Sequence, residues 1–167
     1  MRTALDFPTS ALDAGEGDFL AKVREHGWFA THVLGEGDQP GFSYSTGFWL
    51  SIGAPEVIVF SLKREIAHNV LWDIFRDVQG GLKLPVGKST PNIFGNAAAY
   101  LFPVAPPNYP EHLGWSRWFY CGDEFPCVQL VWPDPSGVFP WQSHFDGRFR
   151  TDQPDLSETG WVSVLAQ

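Results

Sequence analysis

Residues 57–81, VIVFSLKREIAHNVLWDIFRDVQGG, hold the two elements on which the rest of the fold is built. VIVFSL (57–62) is apolar without alternation, the pattern of a central strand buried on both faces. From residue 63 the period changes. Ile66, Ala67, Val70, Leu71, Ile74, Phe75 and Val78 share one face of a helix over 63–79, closed by Gly80-Gly81, while His68 and Asp73 fall off that face toward solvent.

Upstream, Trp28 to Leu34 alternates as a strand does, and the turn-rich GEGDQPG (35–41) joins it to a second strand, FSYSTGF (42–48). Phe42, Tyr44, Thr46 and Phe48 occupy one face of that strand. Ser43, Ser45 and Gly47 occupy the other and present almost no bulk, so a neighbouring backbone or a ligand can come close there. Asp18 is positioned to cap a short N-terminal helix, FLAKVREH, which Gly27 stops, with His26 as a helix-end residue. Residues 1–17 read as a polar lead-in.

Downstream of the long helix, 82–96 reads as a loop with one short strand, followed by a strand over about 97–104. A proline-rich connection then leads to an aromatic cluster ending at Tyr120. CVQLVW (127–132) is the last strong strand, with a short one expected at 161–165. Asp134-Pro135-Ser136-Gly137 matches the preferences of a type I turn and predicts a hairpin from CVQLVW to VFPW. The whole predicts a single α+β domain: a mainly antiparallel sheet, one main helix packed on one side of it, and a short N-terminal helix.

Composition narrows the functional classes. Nineteen acidic against eleven basic residues give a formal net charge of −8, and the basic residues form no stripe, which argues against nucleic-acid binding. No apolar run has signal-peptide or membrane-spanning length, so the expectation is a cytoplasmic protein that does not enter a membrane. Cys121 and Cys127 are expected to be reduced and packed as small apolar groups.

Each catalytic motif that the chain approaches fails on a particular residue. Gly87-Lys88-Ser89-Thr90 resembles the end of a phosphate loop, but Leu82 stands where the first glycine belongs and Pro91 follows where a helix should begin. GEGDQP has Pro40 in place of the third glycine of a dinucleotide fingerprint. GFSYS (41–45) carries Ser45 in place of the glycine of a nucleophile elbow and lies within a strand. The five histidines, His26, His32, His68, His112 and His144, show no metal-ligand spacing, so no metal is expected. Cys127 lies in an apolar strand that disfavours a thiolate, and Asp123-Glu124 has no defined separation for glycosidase work.

HGWFATHV (26–33), GFSYSTGF (41–48), PEVIVFSL (55–62), the helix ending in Gly80-Gly81 and FPCVQLVWPDPSGVFPWQSHFD (125–146) together resemble the bacterial family called domain of unknown function 4262. The most specific part is QLVWPD followed by G-x-FPW. The resemblance implies a small bacterial cytosolic protein over about residues 20–147, with the tail 147–167 outside it, and carries over no catalytic residue.

The turn explains Asp134, Pro135 and Gly137 but not Trp141, His144 or Asp146 beyond it. These, with Ser43, Tyr44 and Ser45 of the small-faced strand, are the candidate binding residues, with Trp141 expected at the rim of a shared cleft. The expected function is that of a non-enzymatic binding protein, such as an acidic immunity-type partner of a basic protein. The alternative is a small-molecule site or a flavin-dependent enzyme on a split-barrel-like fold; no cofactor is otherwise predicted.

Overall fold

The computed structural model describes residues 1–91, 93 and 97–167. Among these residues six strands form one sheet: β1 (Phe29–Val33), β2 (Phe42–Thr46), β3 (Glu56–Phe60), β4 (Ser89–Thr90), β5 (Ala99–Pro103) and β6 (Cys127–Val131), in the order β1-β2-β3-β6-β5-β4. Every neighbouring pair is antiparallel except β3 and β6, which run parallel at the centre. All five residues of each of these two strands are buried. Burial on both faces is the reason that, Glu56 and Gln129 apart, their sequences are apolar without alternation.

The chain is thus an α+β fold with a mainly antiparallel sheet, but helices cover both faces of it. On one side α3 (Arg64–Gln79) places Ala67, Val70, Leu71, Ile74 and Phe75 on Val57, Val59, Val128 and Leu130. Ile66, expected on that face, is instead 46% exposed, at the edge of the buried arc. On the other side α1 (Ala14–His26) places Phe19, Leu20 and Val23 in a core with Tyr44, Ile58, Phe60 and Phe119. A third cluster, Phe102, Val131, Phe139 and Trp161 with Trp141 against it, covers the β5–β6 end.

Several local expectations give way to stronger local chemistry. Helix α1 begins four residues before Asp18, because Asp13 and Glu16 form a reciprocal capping box: Glu16 N–H donates to Asp13 Oδ1 at 2.8 Å and Asp13 N–H to Glu16 Oε2 at 3.0 Å. The lead-in is not a loose arm, since Ala4 is fully buried in the α1-side core. Strand β2 stops at Thr46, and Phe48–Ile52 forms a short helix, α2. Gly47 turns the chain between them at φ 113°, and a Cβ there would lie 2.5 Å from Gly27 O. The small residue at 47 therefore serves close backbone packing, one of the two uses that a bare strand face allows.

The Asp134–Gly137 turn forms, with Gly137 N–H donating to Asp134 O at 2.9 Å, but 138–141 leave it without joining the sheet as a strand. Trp161–Leu165 is a helix, not a strand. The aromatic segment after the proline-rich connection folds as two short helices, Tyr109–His112 and Gly114–Phe119. Of the loop expected at 82–96, residues 92 and 94–96 lie outside the described residues, and its short strand is β4. Among the described residues no helix is long and apolar enough to cross a membrane. Both cysteines are free; Cys121 is exposed and Cys127 is buried, which raises its thiol pKa.

The β2–α2 corner closes on a carboxyl group. Glu56 is fully buried, and its two oxygens accept from Ser45 Oγ (2.5 Å), Gly47 N (2.9 Å), Trp49 N (3.1 Å) and Tyr120 Oη (2.5 Å). Burial raises its pKa, and the four donors oppose that shift.

Candidate functional site

Strand alternation sends Trp28, Ala30 and His32 to the face on which α3 lies. On α3 the spacing i, i+4, i+8 aligns Arg64, His68 and Trp72 along one stripe beside the buried face. Between this stripe and β1, closed at one end by Lys22 and His26 from the last turns of α1, is a cleft of about 850 Å³. Its volume lies in the range of small-molecule sites.

The floor is aromatic. The Trp28 indole stacks with the His68 ring at 5.5 Å and 25° and with Trp72 at 6.2 Å and 24°. Trp28 is 3% exposed, yet its indole N–H has no hydrogen-bond partner among the described residues. Leaving such a donor unpaired costs about 1–3 kcal/mol, which makes it an exception among buried polar groups.

The electrostatics run against those of the whole chain. Lys22 and Arg64 face one carboxylate, Glu65, so the cleft is a cationic place on an acidic protein. His32 Nδ1 is hydrogen-bonded to Ser43 Oγ at 2.7 Å, leaving Nε2 as its free nitrogen. Partial burial, then the charge of Arg64, then that of His68 lower the His32 pKa below its ordinary 6.5. At neutral pH His32 is therefore a neutral imidazole, able to accept a proton or to share one with a bound group. Among the described residues no group of three or more His, Cys, Asp or Glu is arranged to hold a metal ion.

The six residues singled out from sequence do not gather in one cleft. Ser43 adjoins the site through its bond to His32. Tyr44 points to the opposite core, where its hydroxyl accepts from Trp115 N at 3.1 Å, and Ser45 is engaged by Glu56. Trp141 is half-buried among Tyr100, Phe139 and Phe102, with ring centroids 5.0, 5.0 and 5.3 Å away. Those partners sit on or beside β5, three places from β2 in the sheet, so the expected shared cleft does not form. His144 is exposed at φ 74°, and Asp146 pairs with Arg148 at 2.6 Å.

Sequence reasoning missed Lys22, Trp28, Arg64 and Trp72. Two signals could have found them: a cation, an imidazole and an indole at helical spacing beside the apolar face of α3, and Trp28 and His32 on the same face of β1.

The family model described as a domain of unknown function (DUF4262) matches residues 22–146. Every residue that lines the cleft, from Lys22 to Trp72, falls within that segment. No curated protein and no solved structure matches the chain.

Proposed function

Given that the chain belongs to the DUF4262 family, whose description assigns no activity, we propose from the cleft alone that this is a binding protein for an organic anion carrying a flat apolar group. The reading keeps the expectation of a binding function and moves the ligand from a basic protein to a small acid. The observation that carries it is a cleft in which Lys22 and Arg64 stand beside the rings of Trp28, His68 and Trp72. A carboxylate or phosphate would neutralise the cations, while a planar group would lie against Trp72 and His68. A flavin has both features and belongs to this class of ligand; visible absorbance of the purified protein tests for it.

Calorimetric titration with 3-phenylpropionate and with its neutral amide tests the general reading. The acid should bind at least tenfold more tightly than the amide, and Arg64→Ala should remove most of that difference. Equal binding of acid and amide, or an acid affinity untouched by Arg64→Ala, would overturn it.

A further inference from the structure

The cleft opens along β1, the strand at one edge of the sheet. Ser61 N–H donates to Gly41 O at 2.8 Å and Val57 N–H to Ser45 Oγ at 3.0 Å, so the odd-numbered residues of β2 face β3 and the even-numbered ones face β1. Their partners Phe29, Thr31 and Val33 pair inward. The alternation of an antiparallel ladder therefore directs the N–H and C=O of Ala30 and His32 outward, and both residues line the cleft. β1 ends the sheet and no strand pairs with its outer side among the described residues. Sheets commonly blunt such an edge with lysine, proline, a bulge or shortness. The opposite edge, β4, is two residues long, whereas β1 is five residues with neither lysine nor proline. Helix α1 packs on the face of β1, through Phe19 against Phe29 at 4.9 Å.

Resting on the anion-binding reading above, we propose that the natural occupant of the cleft is an extended acidic peptide. It adds as a strand to β1 by hydrogen bonds to Ala30 and His32, and it places a carboxylate by Arg64 and an apolar side chain on the Trp28–Trp72 floor. The charge of the cleft selects an acidic segment, and the outward main-chain groups select an extended one. Main-chain pairing supplies affinity that a free organic acid cannot gain.

The test uses a dye-labelled hexapeptide of alternating valine and threonine ending in phenylalanine with a free carboxylate, with 3-phenylpropionate as the small-acid reference. Two further peptides are N-methylated on alternate amides, one for each alternation. The parent peptide should bind at least tenfold more tightly than 3-phenylpropionate. One methylated peptide should lose that gain and the other keep it, because only one set of amides faces β1. If the peptide binds no better than the small acid, or both methylated forms bind as the parent does, strand addition is wrong and the small-anion reading stands. If neither peptide nor acid binds, both fail together.

Discussion

Tyr120 donates its hydroxyl hydrogen to Glu56 Oε1 at 2.5 Å, joining the end of the second short aromatic helix to the first residue of β3. Both groups are largely removed from water, and the same oxygen also accepts from the main chain of Gly47 and Trp49. Tyr120→Phe removes one donor to a buried carboxyl and should cost about 1–3 kcal/mol in a urea melt. Glu56→Leu leaves the Gly47 and Trp49 amides facing hydrocarbon and should cost more than Tyr120→Phe; an equal or smaller loss would mean that the corner does not depend on the carboxyl.

Trp132 and Trp141 test the difference between the α3-side core and the aromatic cluster at the far end of the sheet. Trp132 packs with Val128 and Leu130, and its indole N–H donates to Phe60 O at 2.9 Å. Trp132→Ala should cost roughly 3–5 kcal/mol. Half-buried Trp141 should cost less on replacement by alanine, about 2 kcal/mol, from loss of its packing on Tyr100 and Phe102. Urea midpoints at constant slope measure both.

Gly47→Ala combines two conflicts. The new methyl would meet Gly27 O at 2.5 Å and Trp28 Cα at 2.9 Å, and the residue would be held at φ 113°. A loss of at least about 2 kcal/mol is expected in the same assay. Because Trp28 lies at the collision point, ligand affinity should fall as well.

The pH behaviour of His32 follows from its lowered pKa. The unfolded chain holds the imidazole proton up to about pH 6.5 while the folded chain releases it earlier, so the unfolded state binds more protons in the interval between. The stability contributed by neutral His32 is thus complete above 6.5 and is lost as pH falls toward its folded value. Proton NMR should find that value below 6.5, and Arg64→Ala should raise it. A bound anion should raise it too. Affinity for 3-phenylpropionate should therefore increase as the solution is acidified through this range; affinity that falls instead would place the carboxylate away from His32.

Elements whose pattern is set by burial are legible in the sequence, and elements set by a single contact are not. β3 and α3 are readable because uninterrupted apolar residues and a helical apolar face each have one stable solution in a sheet flanked by helices. α1 is readable only in its second half, because Gly15 and Gly17 hide the Asp13–Glu16 box that starts it. The segment 161–165 is too short to carry a period, so packing of Trp161 on Phe102 decides its form. For the site, Ser43 is legible as a small residue on an open face, whereas its partner His32 requires the β1–β2 register. Trp141 misleads because an aromatic residue next to a polar run looks alike whether it edges a ligand site or caps a cluster of other rings.

Gln153 acts as a strand of one residue. Its side-chain amide accepts from Trp132 N–H and donates to Trp132 O, both at 3.0 Å, closing the main chain just past the end of β6 where no strand reaches. Beyond it, Pro154 O and Leu156 N–H engage the Gln129 side chain, and Leu156 and Trp161 are buried. The segment that matches the family ends at residue 146, so these contacts come from outside it. A chain cut there would keep every strand and lose the plug of the sheet, exposing the Trp132 backbone and the side of β6. The unit that packs together is longer than the segment that matches the family, and fragments designed on the family boundary should aggregate through that uncovered end.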